Sequence, residues 1–230
     1  MTPTTTFLEK AEHHAAQDML LTGTYGRMNG QFRGCSIGCF LHDYEPNLRD
    51  DADIHIHKRL SRHTGIAEWA LHVQDYLFER LPDPELWHVD CARAYDAFTG
   101  DWDVAMHKFM SRVQREIVAN PTELNERVAV LHDRAAAGNM PTETEWSAVA
   151  RAARSSERSA ARAAVEDAAR SANQAAAEPV AWSAAWSAAR SAARSAAWAA
   201  TSSAAYAAYA AAVSAVKDIF LSVLAGETTR

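Results

Sequence analysis

The sequence predicts an all-α fold: an irregular N-terminal helical domain followed by alanine-rich, close-packed C-terminal helices. Three observations carry this expectation. Apolar residues recur at helical spacing through the first half, cap and stop signals separate those stripes, and alanine fills 18 of the 32 positions from Ala181 to Ala212. Composition shifts near Trp146, because all ten histidines and all three cysteines lie at or before His132. The expected division is therefore a helical domain over 1–140 that bears the Cys/His cluster, and an alanine-rich helical segment over 141–230.

In the first half, Ile66, Trp69, Ala70, Val73, Leu77 and Phe78 form one core-facing stripe, and Met106, Phe109, Met110, Val113 and Ile117 form another. Asn120 followed by Pro121 and Glu123, and Thr142 followed by Glu145, read as helix starts, since an Asn or Thr cap with an acidic residue at N3 satisfies free backbone donors. Gly138 suits the stop between them. The stretch from Leu21 to Asp53 holds five of the nine glycines and is the least regular part, the natural place for a site-bearing loop.

The C-terminal segment repeats at four residues, with Trp182, Trp186, Arg190, Arg194 and Trp198 in one row beside Ser183, Ser187, Ser191 and Ser195. Such a row advances about 40° per step and winds around an ideal helix. Beyond Trp198 the pattern becomes amphipathic, with Tyr209, Val213, Val216, Phe220 and Val223 on one side. Alanine combines high helix propensity with a small side chain, so neighbouring backbones can approach closely while Trp and Tyr fill the gaps. Arg151, Arg154, Arg158 and Arg162 lie within about 80° on a helical wheel and are candidate partner-binding residues for phosphates or an acidic partner. The competing reading is a solvated face, since Glu157 and Glu166 are placed to pair with neighbouring arginines.

With 48% apolar and 23% charged residues, the chain has the composition of a folded protein, and its formal net charge of −6 argues against nonspecific nucleic-acid binding. The N-terminus MTPTTTFLEKAEHH has neither a cationic start nor an apolar run, so a cytoplasmic location is expected. Between Ser195 and Val216 there is no Gly, Pro or charge, but alanine and serine transfer poorly into lipid, so a packed helix is expected there rather than a membrane span. Cys35, Cys39 and Cys91 fit reduced thiols better than a disulfide framework.

The sharpest chemical constellation is Gly34-Cys35-Ser36-Ile37-Gly38-Cys39-Phe40-Leu41-His42. If helical, its spacings bring Cys35, Cys39 and His42 onto one face. There they could coordinate zinc or iron, with His63, or alternatively His55 or His57, closing the shell. In a second reading, His42 lowers the thiol pKa of Cys39 and makes it a nucleophile, so that Cys39 and His42 are candidate catalytic residues. In a third, the cysteines are small buried hydrophobes and Gly34 and Gly38 permit close packing. Asp53-Ile54-His55-Ile56-His57 would set two histidines on one side of a strand or extended loop.

GCSIGCFLH, followed by TGIAEWALHVQDYLFERLPDPE and an Ala/Ser/Trp/Tyr-rich end, resembles an uncharacterised family of hypothetical proteins of tailed phages and bacteria. Cys35, Gly38, Cys39 and His42 match its Gly-Cys-x-x-Gly-Cys-x-x-His signature. The chain has Ala67 where members carry the proline of Gly-Ile-Pro, and Ala94-Tyr95-Asp96-Ala97 where they carry an Ile-Pro-Val-Gly-like stretch. The alanine-rich end also resembles arrays in certain toxin-immunity proteins. What the resemblance implies is a phage or mobile-element context, with no biochemical activity attached. The leading functional expectation is a non-enzymatic interaction protein without a cofactor, a phage-encoded antagonist of host defence that blocks a protein complex or sequesters a small signal. Its partner would be a host protein or small signalling ligand, and self-association is compatible with the large helical surface. The alternative is a small metal- or thiol-dependent enzyme centred on Cys35, Cys39 and His42, with zinc as its cofactor.

Overall fold

The computed structural model describes residues 6–24, 27–28, 32–47, 55–117, 122–152, 155 and 210–226. In chain order these form α1 (Phe7–Ala16), β1 (Arg27–Met28), β2 (Phe32–Arg33), α2 (Ser36–Tyr44), α3 (Ile56–Thr64), α4 (Glu68–Phe78), α5 (Pro84–Ala97), α6 (Trp102–Glu116), α7 (Glu123–Ala136), α8 (143–152) and α9 (210–224). Among the described residues the only strands are β1 and β2, an antiparallel ladder that pairs Arg27 with Arg33 and Met28 with Phe32. The fold is all-α, as the helical periodicity predicts.

Local chemistry explains the helix ends. Thr6 Oγ1 accepts from the Glu9 N–H at 3.1 Å while Glu9 Oε2 accepts from the Thr6 N–H at 2.8 Å, a reciprocal capping box. The Asp96 carboxylate of α5 reaches across to the Phe7 and Leu8 N–H groups at 3.1 and 2.8 Å, so a tertiary contact satisfies further donors of α1. Asp83 and Asp101 cap α5 and α6, and Pro84 occupies the first turn of α5, where its missing N–H costs nothing. Gly65 and Gly138 follow α3 and α7 with φ of +75° and +81°, a left-handed conformation that suits glycine.

Thr142 caps α8 as its spacing predicts, donating its N–H to Glu145 Oε2 at 2.7 Å and accepting from the Glu145 N–H at 3.2 Å. The start expected at Asn120 is different. Thr122 caps α7 and pairs with Asn125, while Asn120 and Pro121 lie outside the described residues. Of the strand or extended loop expected at Asp53–His57, Asp53 and Ile54 lie outside the described residues, and the rest is corrected. Ile56, His57 and Leu60 are buried at spacings of one and four, which is helical, and they begin α3. The glycine-rich stretch from Leu21 also holds a full helix, α2, whose Ile37, Phe40 and Leu41 have no exposure. No turn interrupts Ala94–Ala97. That segment is the last turn of α5, and it buries Tyr95, whose hydroxyl donates to Ala70 O at 3.2 Å.

The core joins both ends of the chain. Phe220 of α9 is fully buried, with its ring 6.0 Å from Trp69, 5.8 Å from Trp87 and 5.9 Å from Phe109, all in edge-to-face geometry. Val213, Ile219, Val223 and Leu224 enter the same cluster, so the predicted face of the last helix is the packed one. α6 and α7 form an antiparallel hairpin stitched by polar pairs: His107 Nδ1 lies 2.8 Å from His132 Nδ1, and Arg115 Nη2 lies 2.8 Å from both Glu126 Oε1 and Asp133 Oδ2. Trp182, Trp186, Arg190, Arg194, Trp198 and Tyr209 lie outside the described residues. Among the described residues, no helix is long and apolar enough to cross a membrane.

Candidate functional site

The N-terminus of α2 meets α4 and α5 in two polar clusters set side by side. Cys35 is the N-cap of α2, is 1% exposed, and donates its N–H to Thr24 O at 2.6 Å. Its Sγ and one carboxylate oxygen each of Asp75 and Glu79 lie within 4.8 Å of one another. Asp75 and Glu79 are four residues apart, so α4 presents both to the same side. Glu79 accepts the Gly23 N–H on both oxygens, at 2.8 and 3.0 Å. His57 Nε2 lies 3.1 Å from Asp75 Oδ2, and the His72 ring stacks on His57 at 3.9 Å. Burial pushes the Cys35 thiol well above its ordinary pKa, and the Asp75 charge pushes it further. Burial also raises Glu79, with Asp75 adding to the shift and the Gly23 N–H opposing it.

The second cluster is a chain through the core. Gln74 Nε2 donates to Ser36 Oγ, and Ser36 Oγ lies 2.7 Å from His88 Nδ1. His88 Nε2 is 3.1 Å from His14 Nδ1, and His14 Nε2 is 3.2 Å from Asp43 Oδ1. One assignment of hydrogens satisfies every link: Ser36 donates to His88, His88 donates to His14, and His14 donates to the Asp43 carboxylate. Ser36, His14 and His88 have no exposure, and Asp43 is the partly exposed end. Burial, reinforced by His14, holds the His88 pKa well below the ordinary histidine value. Phe40 stacks on the His88 ring at 4.5 Å, and the Trp87 indole donates to Gln74 O at 2.9 Å, so aromatic packing fixes the chain on both flanks.

The four residues of the sequence-derived metal set take separate environments. Cys35 faces Asp75 and Glu79. Cys39, one turn further along α2, has no exposure and contacts Gly34 O at 3.4 Å and Met19 O at 3.5 Å. His42 packs at a tilt against Phe32 with ring centroids 4.0 Å apart, while His63 lies 3.0 Å from Glu45 Oε1 and stacks on Tyr44. No three of Cys35, Cys39, His42 and His63 converge on one point among the described residues. Burial also pushes the Cys39 thiol up to about 12, so at neutral pH it is a protonated thiol rather than a thiolate. Arg151 is exposed on α8, and Arg154, Arg158 and Arg162 lie outside the described residues.

Several site residues escape a reading centred on Cys and His. Asp75 and Glu79 carry the signal of an i,i+4 carboxylate pair. Gly34-Cys35-Ser36-Ile37-Gly38 also has G-x-S-x-G spacing, a pattern that can mark a nucleophilic serine at a strand-to-helix turn. Ser36 departs from that geometry. It begins the helix proper and is fully buried, and among the described residues the one non-glycine with positive φ is Asp18. The hydroxyl has a base within reach but no described opening to a substrate.

An apolar groove of about 360 Å³ lies between α7 and α8, away from both clusters. Val130, Leu131, Ala148 and Val149 form its floor, and Glu123, Glu126, Arg127 and Glu145 its rim. Val130 is 42% exposed. Compared with protein-family models, with curated proteins and with solved structures, the chain matches none.

Proposed function

We propose that this chain is a non-enzymatic interaction protein that engages a macromolecular partner through the groove between α7 and α8. The observation that carries the reading is the groove itself, an apolar floor with a charged rim, the anatomy of a docking surface. Two rim charges are already engaged within the chain, Glu145 by Arg134 and Glu126 by Arg115, which leaves the apolar floor as the surface to cover. A partner helix with one apolar face fits such a groove. The phage resemblance directs the choice of partner to the host, as an antagonist of a defence complex. The thiol form of the enzymatic alternative has less support, because Cys35 and Cys39 are buried and their thiols are held protonated.

The test uses a photo-crosslinking residue at Arg127 on the groove's edge in host cells, with Val130→Glu and Ala148→Glu as groove variants. The expected result is a discrete crosslinked host protein that both variants lose while their melting temperatures hold. Cys39→Ser should keep it. Equal capture by wild type and both groove variants would overturn the reading.

A further inference from the structure

We propose that Cys35, Asp75 and Glu79 form a binding site for one zinc-type divalent cation that staples the N-terminus of α2 to the end of α4. The donors come from three structural positions: the N-cap of α2, the body of α4, and the residue that ends α4. They bring one sulfur and two carboxylate oxygens within 4.8 Å of one another. A mixed sulfur and oxygen set suits a borderline ion such as zinc rather than magnesium or calcium, which take oxygen alone. A tetrahedral zinc with bonds of about 2.0 to 2.3 Å holds its donors roughly 3.5 Å apart. Side-chain rotation of about 1 Å therefore closes the longest gap.

The surroundings are those of a supported site. His57 Nε2 holds Asp75 Oδ2 at 3.1 Å, the kind of outer hydrogen bond that orients a ligating carboxylate, and His72 stacks behind His57. The Gly23 N–H fixes the Glu79 carboxylate, while the Cys35 N–H is tied to Thr24. The segment before the β hairpin is thus anchored on two of the three ligands. A bound cation would stabilise the thiolate form of Cys35 and draw the three donors together. Solvent access lies on the Glu79 side, since Glu79 is exposed and Cys35 is not, so the ion enters past Glu79 and a water completes its shell.

Zinc and cobalt are the probes, used on the full chain after chelator treatment. Competition with a chromophoric chelator is expected to give one zinc per chain, and cobalt a thiolate charge-transfer band. Cys35→Ser should abolish the band, and Glu79→Gln should weaken zinc binding at least tenfold while leaving circular dichroism unchanged. Glu79→Gln is the folding-safe variant, because the side chain is exposed and the amide oxygen can still accept the Gly23 N–H. Cys39→Ser, Cys91→Ser and His63→Ala should each retain the ion. Failure to bind zinc at micromolar concentrations would overturn the proposal, as would a thiolate band that survives Cys35→Ser or disappears with Cys39→Ser or His63→Ala.

Discussion

Acidification tests the buried chain most directly, through His88. Its ring has no exposure and is held between Ser36 and His14, an arrangement that accommodates a neutral imidazole, so its folded pKa is depressed. The unfolded chain binds a proton below about pH 6.5 that the folded chain refuses. Stability from this residue is therefore complete above about pH 6.5 and falls as the pH drops, at about 1.4 kcal/mol per unit. Between pH 7.5 and 5.0 the loss is at most about 2 kcal/mol, against the 5 to 15 kcal/mol typical of a folded protein. His132 and His72 shift in the same direction, but both are partly solvated and contribute less. Carboxylates held low by arginines, Glu145 by Arg134 and Glu45 by Arg59, lose their contribution only below about pH 4.5 and stay outside the window. Urea unfolding followed by circular dichroism at half-unit steps supplies the measurement, with His88→Gln as the non-titrating control. The control should be less stable at pH 7.5 and flatter from 6.5 to 5.0. Equal slopes for wild type and control would refute the assignment.

Phe220→Ala should cost about 3 to 5 kcal/mol in urea unfolding, because it empties a pocket lined by Trp69, Trp87 and Phe109, and a loss under about 1 kcal/mol would detach α9 from this core. Ala67 precedes α4 with φ of −62°, the angle a proline ring imposes. Ala67→Pro should therefore raise stability by about 0.4 to 1 kcal/mol, and a drop in melting temperature would show that the ring clashes there. Cys35, Cys39 and Cys91 are buried with raised thiol pKa values, so iodoacetamide at neutral pH should label them slowly in the native protein and quickly in urea. Rapid native labelling of Cys39 would restore it as a nucleophile candidate.

Much of this fold is legible in local patterns, and the site is less so for a physical reason. The stripe through Trp69, Ala70, Leu77 and Phe78, the box at Thr142–Glu145 and the stop at Gly138 act within a few residues of chain, where periodicity and capping are readable. His14, His88 and Ser36 meet through separations of 74 and 52 residues, which no local pattern reports. The Cys/His motif falls on α2, but its members take different neighbours. Cys35 lies before the first turn of α2 and turns toward α4, whereas Cys39 points into the packed core. A shared helix face was the assumption behind grouping them, and the N-cap position breaks it. Asp96 shows the same limit: its carboxylate caps α1 from α5, a tertiary role where sequence spacing suggests only a surface residue.

The two clusters share neighbouring residues, and helix geometry keeps them apart. Gln74 and Asp75 are adjacent within α4, where successive residues diverge by about 100°, and Ser36 begins α2 directly after Cys35, whose extended N-cap backbone turns its side chain away from the helix. Ser36 consequently pairs with Gln74 while Cys35 pairs with Asp75, and each cluster should respond to its own variants. Ser36→Ala removes the acceptor of Gln74 Nε2 and the partner of His88 Nδ1, both buried, so it should destabilise the protein by about 1 to 3 kcal/mol. Glu79→Gln sits at the exposed edge of the other cluster and should cost well under that in the absence of zinc. If the clusters are independent, the double variant's loss equals the sum of the single losses to within about 0.5 kcal/mol. Ser36→Ala should also bind zinc as the wild type does. A coupling larger than about 1 kcal/mol, or loss of zinc in Ser36→Ala, would show one cooperative unit in which the core chain positions Cys35 and Asp75.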